Sequence, residues 1–359
     1  MLKELLQRVK RCFKQRIEET DKPEITCVVD ALGWVQESRI KYLSRYIDEY
    51  ELLTLTAKQF ASLWNRGKLP SRRVYFASWR IPYALVRSRL CEFLDSDFHH
   101  FMASVTSHYN IGGGIDPSKA LATGTEPQEA FDSAIASIKQ FKVVTANSRI
   151  LYNLLYPHLD QMIYAPNGVD TSFFSPAAKR IYDPKHMRVG WVGKVKAAKN
   201  YELVEEAFNR LGSEGFIAEV LAFTKDVRKG KFLTKPQMKK FYQKIDYYLC
   251  TSWHEGTPNP ALEAAACGVP IITTRVGNMP DLIEDGKNGF FIDPDINSLL
   301  ERFRKIRRLN PAQYSDLSRN IRDSILKDWT WEKNVDNYKT AFKRLLDRRE
   351  ESWQSDRCK

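Results

Sequence analysis

The sequence predicts an α/β chain of two domains with parallel strands. Length is the first observation: 359 residues, 43% of them hydrophobic, are room for two globular domains of ordinary size. The second is the stretch 247–274. Tyr247-Tyr248-Leu249-Cys250 is a short apolar run of strand length. Residues 261–266 (Ala-Leu-Glu-Ala-Ala-Ala) are strong helix formers stopped by Gly268, and residues 269–274 (Val-Pro-Ile-Ile-Thr-Thr) read as the next strand. A helix between two such strands is a crossover, so the strands run parallel. The third is that the same alternation of apolar runs and helical stretches recurs along both halves.

In chain order, residues 1–19 form a basic amphipathic segment. Leu2, Leu5, Leu6, Val9, Cys12 and Phe13 recur at helical spacing, with Lys3, Arg8, Lys10, Arg11, Lys14 and Arg16 around them. This pattern fits a helix on an anionic membrane surface and equally one packed on its own domain. Residues 25–30 read as the first strand, Gly33-Trp34 as a turn and 36–50 as a helix. Further strands are read at 74–78 and 101–106. The latter runs into Ser107-His108-Tyr109-Asn110 and then Gly112-Gly113-Gly114, a loop whose glycines let backbone approach a ligand or close on an acceptor. His99 and His100 sit at the other end of that strand. Residues 141–148 are a strand and turn leading to a helix from Arg149. Residues 162–170 end in Pro166-Asn167-Gly168-Val169-Asp170, a tight turn. The polar stretch 177–187 is read as the linker.

The second half opens with a strand at 189–194 and a glycine turn, with Lys194 and Lys199 on the loop and Asn200 placed to cap a helix over 201–211. A strand at 218–223 ends at Thr224-Lys225. After Phe291 the chain reads as helical at 296–308, 311–329 and 334–346, followed by a polar tail.

The loop between Thr251 and Pro260 carries chemistry. Backbone amides from about Asn259 onward belong to a helix N-terminus and are expected as donors to an anion, phosphate above all. A carboxylate beside a phosphate is repelled, so Glu255 and Glu263 are expected to face uncharged hydroxyls. Either glutamate alone also reads as a surface residue stabilised by the helix dipole.

This stretch resembles the donor-site signature of family 4 glycosyltransferases. Ser252, Glu255, Gly256, Pro258, Asn259, Pro260, Leu262, Glu263, Ala264, Gly268, Pro270 and Ile271 fall in register with it, and Gly277, Ile283, Gly286 and Gly289 match its tail. The resemblance implies the GT-B fold: two doubly wound, Rossmann-like domains facing a cleft, with the last helix crossing back to the first. It assigns 1–180 to an acceptor-binding domain, 188–331 to a nucleotide-sugar-binding domain and 332–348 to the returning helix. It implies transfer of a sugar from a nucleotide-sugar, a UDP- or GDP-sugar, with retention of configuration. Lys194 and Lys199 would take the diphosphate; the family has Arg at the first position, so the charge survives without the bidentate fork. Asn259, Pro260, Ala261 and Leu262 at the helix start would share that charge. Glu263 would hold the ribose, Glu255 the donor sugar, and His108 would touch the sugar from the first domain. Gly33, Gly193, Thr224 and Gly256 complete the donor site. No cofactor or metal is implied, because lysines and helix dipole stand in for a divalent ion.

Composition bounds the setting. No apolar run reaches membrane-spanning length, and the charged N-terminus holds no secretory h-region. Six scattered cysteines without a C-x-x-C pair argue against a zinc site or disulfide framework and for a reducing, cytoplasmic compartment. A net charge of +12 suggests an acidic partner: nucleotide, anionic membrane face, acidic glycan or nucleic acid. The acceptor expected is a glycan, a glycolipid or other lipid-linked glycan, or a lipopolysaccharide-type acceptor. Action on nucleic acid, a phosphorylase or epimerase on the same fold, and a non-catalytic binding module are the other readings.

Overall fold

The computed structural model describes residues 22–33, 35–107, 111, 127–177, 182–195, 197–211, 217–223 and 233–347. Of the expectations above, residues 1–19, Trp34, His108 with the glycine loop 112–114, part of the linker, Thr224 and the tail 349–359 lie outside the described residues.

Two parallel sheets organise the molecule. The first contains β1 (Glu24–Val29), β2 (Glu51–Thr56), β3 (Val74–Phe76), β4 (Phe101–Val105), β5 (Val143–Ala146) and β6 (Met162–Tyr164), in spatial order β2-β1-β3-β4-β5-β6. The second contains β7 (Arg188–Lys194), β8 (Ile217–Phe223), β9 (Tyr247–Cys250), β10 (Ile271–Thr273) and β11 (Gly289–Phe291), in order β11-β10-β9-β7-β8. In each sheet the order reverses once, between β1 and β3 and between β7 and β9. The loops leaving the carboxyl ends of those pairs frame the crevices where doubly wound sheets bind ligands.

The strands are near-continuous apolar runs because both faces are covered. Side chains alternate with period two: Ile25, Cys27, Tyr75 and Met102 enter one core, while Val28, Phe76, Phe101 and Ala103 enter the other. Two details depart from the sequence reading. The first helix is Val35–Tyr46, shorter than the expected 36–50, and is followed by β2, which that reading lacked. β2 is an edge strand, mostly half-buried, in which leucines are mixed with Thr54 and Thr56, so its apolar signal is weaker than that of its neighbours.

The last helix, Trp331–Leu346, leaves the second domain and packs on the first sheet. Trp331, Val335, Tyr338, Phe342 and Leu345 recur every three or four residues and meet Ile25, Cys27, Tyr75 and Met102. Burial of side chains this size contributes roughly 1.5–3 kcal/mol each. The chain therefore passes between domains twice, side by side: Val169 pairs with Thr330, and its N–H donates to the Trp329 carbonyl at 2.9 Å. Gly168 sits so close that a Cβ there would lie 2.4 Å from the Trp331 backbone nitrogen. The glycine of Pro-Asn-Gly-Val-Asp is thus required by the crossing itself.

Candidate active site

The site is built where β7 and β9 end. Gly193 and Lys194 close β7, and Lys199 ends a short 3-10 turn, Ala197–Lys199. Two bonds tie that turn to the loop after β9: Thr251 Oγ1 donates to the Lys199 carbonyl (2.9 Å) and the Trp253 N–H to Ala198 (2.9 Å). This brings Lys199 Nζ into an ion pair with Glu255 Oε1, and Ser252 Oγ donates to the same oxygen at 2.7 Å. Ser252 is itself anchored, its carbonyl accepting from Thr274 Oγ1 at 2.6 Å. Burial works against the Lys199 charge, but the adjacent Glu255 carboxylate more than offsets this and holds the ammonium above the ordinary lysine value. Behind the loop stands Gly277, whose φ of 55° favours glycine and where a Cβ would meet the Gly256 carbonyl oxygen at 2.2 Å.

The same loop is where the domains touch. A Cβ on Gly256 would lie 2.2 Å from the Thr106 carbonyl oxygen and 2.3 Å from Asn147 Oδ1. Thr257 Oγ1 donates to the Asn147 carbonyl at 3.1 Å. Glu255 is therefore held beside the carboxyl ends of β4 and β5. Gly33 lies on the exposed loop after β1, with φ of 82°, its N–H donating to Glu37 Oε2 at 2.6 Å and open space where a Cβ would stand.

The helix Asn259–Ala266 starts at the end of this loop. Its first amides are not the open donors the sequence suggested. Asn259 N–H is bonded to the Thr257 carbonyl (2.9 Å), those of Ala261 and Leu262 to the Pro258 carbonyl (2.8 and 3.3 Å), and Pro260 has none. A tight turn through Thr257-Pro258 has consumed them, the local solution to otherwise orphaned helix-end groups. The Asn259 side chain faces the crossing, its Oδ1 accepting from Asn167 Nδ2 at 3.1 Å.

Glu263, one turn further, is half-buried. Tyr242 OH donates to its Oε2 at 2.8 Å. Burial pushes the carboxyl up to about 7, opposed by the Tyr242 hydrogen bond and by Lys235. Lys235 is pulled below the ordinary lysine value by burial, against the attraction of Glu263 and Asp170, and its Nζ lies 3.0 Å from Tyr42 OH on the first domain and over that ring at 4.4 Å. Tyr42, Tyr248 and Cys267 complete the titratable surroundings of Glu263.

The sequence reading missed Tyr242, Lys235, Tyr42 and the role of Ser252. Ser252 carried a signal, a hydroxyl three residues before a glutamate in a turn. The others reach Glu263 from two other helices, and no local pattern announces that.

Residues 172–308 match the model of the family described as glycosyl transferases group 1. The second domain is thus similar, over most of its length, to the group 1 glycosyltransferases. The chain is 25% identical, over 51% of its length, to a probable sucrose-phosphate synthase of Thermosipho melanesiensis, and 24% identical over 50% to a D-inositol 3-phosphate glycosyltransferase of Segniliparus rotundus. It spans about half the length of these curated relatives, 48% and 46%. Among solved structures, sucrose-phosphate synthase from Thermosynechococcus elongatus superposes with a TM-score of 0.72 at 13% identity, covering 90% of this chain and 99% of that one. Anabaena HepE in complex with UDP and glucose superposes with a TM-score of 0.64 at 13% identity, covering 89% and 99%. The architecture is the GT-B fold. The second domain holds Gly193, Lys194, Lys199, Glu255, Gly256 and the Asn259–Glu263 turn, and the first domain closes on it from β4 and β5.

Proposed function

We propose that this protein transfers a sugar from a nucleotide-sugar to an acceptor with retention of anomeric configuration. The observation that carries the reading is the Lys199–Glu255–Ser252 assembly at the β7/β9 crossing point, pressed against the first domain through Gly256. Lys199 and Glu255 hold each other's charge in the unliganded site. An arriving diphosphate gives Lys199, with Lys194, a stronger partner, and Glu255 is released to the donor sugar's hydroxyls. As the glycosidic bond breaks, negative charge grows on the leaving diphosphate and positive charge on the sugar carbon. The lysines stabilise the first and Glu255 the second. Glu263 in its ionised form accepts from the ribose hydroxyls. His108 touches the sugar from the first domain. Gly33, Gly193, Thr224, Gly256 and the turn Asn259-Pro260-Ala261-Leu262 line the donor. A UDP- or GDP-sugar is the donor class, and the UDP and glucose bound in the HepE structure support the former.

The acceptor is a glycan or lipid-linked glycan, met at the cytoplasmic membrane face through the basic segment 1–19. No helix among the described residues is long and apolar enough to cross a membrane. The decisive experiment incubates the full chain with UDP- and GDP-sugars and candidate acceptors, with EDTA present, and reads the product's anomeric configuration by NMR. Turnover in EDTA with a retained anomer is expected. An inverted product, or loss of turnover restored by a divalent ion, refutes the mechanism. Sedimentation with anionic vesicles, with and without residues 1–19, tests the membrane contact; equal sedimentation refutes it.

A further inference from the structure

We propose that Arg39 and Trp331 form a seat for an oxyanion, a phosphate or carboxylate of a substrate, in the cleft that Glu263 also lines. The proposal rests on the reading of the cleft as a sugar-transfer site. Arg39 is 4% exposed; burial works against its charge, while Tyr75, Tyr338 and Cys27 hold the guanidinium above its ordinary value. Its Nη2 donates to the Ala77 carbonyl at 2.7 Å, Tyr338 is a further hydrogen-bond partner and the guanidinium lies 5.7 Å over the Tyr75 ring, but its Nε has no hydrogen-bond partner among the described residues. A buried guanidinium that keeps one donor unfilled is a place to receive an oxyanion.

A second unpartnered donor lines the same cavity. Trp331 is 3% exposed, its ring is stacked on Tyr42 at 5.3 Å, and its Nε1–H has no acceptor among the described residues. Arg39, Trp331, Ser38 and Tyr42 share that cavity with Asn167 and Glu263. The place is where a doubly wound sheet binds ligands: Ala77 directly follows β3, at the β1/β3 crossing point. The acidic members of the lining do not compete for Arg39. Asp170 is engaged by Arg45 at 3.2 Å and by Ser172 at 2.6 Å, and Glu263 by Tyr242. The cavity thus has a donor end suited to an oxyanion and an acceptor end suited to hydroxyls. That is the pattern of a phosphorylated or carboxylated sugar derivative. The oxyanion belongs either to the donor's diphosphate or to an acidic acceptor, and both present the same chemistry to Arg39.

The test uses the full chain, with Arg39→Gln and Trp331→Phe as variants and inorganic phosphate, UDP and uridine as probes, read by calorimetry and thermal shift. Phosphate and UDP are expected to bind the wild type. Arg39→Gln should weaken oxyanion binding about tenfold to a hundredfold, since a charge-assisted bond is lost. Its melting temperature, read in the same titration, separates a lost ligand contact from a lost fold. Trp331→Phe keeps the stacked ring and should weaken the same probes by a smaller factor. Uridine should be indifferent to both changes. Loss confined to UDP assigns the seat to the donor diphosphate; loss confined to inorganic phosphate, with UDP unaffected, assigns it to an acceptor anion. A wild type that binds phosphate but no nucleotide sinks the sugar-transfer reading and leaves the seat standing. Unchanged phosphate and UDP affinities in Trp331→Phe, with Arg39→Gln either unfolded or also unchanged, overturn the seat, as does a wild type that ignores phosphate.

Discussion

Glu263→Gln should stabilise the protein above neutral pH and remove the pH dependence of nucleotide binding. The carboxyl sits at about 7 in the folded chain against an ordinary 4.5. The folded state therefore binds this proton more tightly than the unfolded state. The sign follows: its contribution to stability is intact below pH 4.5, falls as pH rises through the window 4.5 to 7, and stays lost above it. Two and a half pH units at 1.36 kcal/mol each set an upper figure of about 3 kcal/mol. Glutamine keeps an acceptor for Tyr242 OH and carries no charge, so the variant avoids the loss. For domains of this size about 3 kcal/mol corresponds to roughly 6–12 °C in melting temperature. Melting of wild type and variant at pH 5 and pH 8.5 measures it: near-equal values are expected at pH 5, and a higher value for the variant at pH 8.5. Ribose hydroxyls, in turn, require the ionised carboxylate as acceptor. Wild-type affinity for a nucleoside diphosphate should rise up to tenfold per pH unit below 7 and level off above, while the variant's stays low and flat. Parallel pH profiles for the two proteins, in melting or in binding, would refute both the buried-carboxyl argument and the ribose assignment.

Three further outcomes are expected. Lys199→Ala should lower kcat/KM tenfold to a thousandfold, a loss of about 1.4–4 kcal/mol of charge stabilisation, with folding intact; unchanged kinetics would remove Lys199 from the diphosphate site. Gly256→Ala, whose Cβ would meet Thr106 and Asn147 at 2.2 and 2.3 Å, should push the domains apart, lowering turnover and raising the radius of gyration seen by X-ray scattering; a compact, fully active variant contradicts the contact. Lys235→Met should move the Glu263 carboxyl further up, because the cation opposing its protonation is gone, and so shift the pH profile of nucleotide binding to higher pH; a profile unmoved from wild type shows that Lys235 does not act on Glu263.

What was legible in the sequence was whatever is fixed by neighbours along the chain. Tyr247-Tyr248-Leu249-Cys250 is apolar on both faces because the strand is central, and the spacing of Trp331, Val335, Tyr338, Phe342 and Leu345 is that of a helix with one buried face. Gly168, Gly256 and Gly277 stood out as glycines, but their reason is tertiary: each lies where another backbone passes within 2.6 Å of a would-be Cβ. The open amides expected at the helix start failed for a local reason, since the Thr257-Pro258 turn supplies carbonyls that the pattern of helix formers does not reveal. The charges that matter most were invisible in type rather than in place. Glu263 and Arg39 are ordinary residues in the sequence; what makes the first a near-neutral acid and the second a buried cation set among phenols and a thiol is the set of groups that the fold brings beside them. Tyr242 comes from 21 positions away and Tyr75 from 36, on elements whose own patterns say only that they are buried. Spacing along the chain identifies residue types able to do the chemistry, and the desolvation that tunes them arises only when the sheets are assembled.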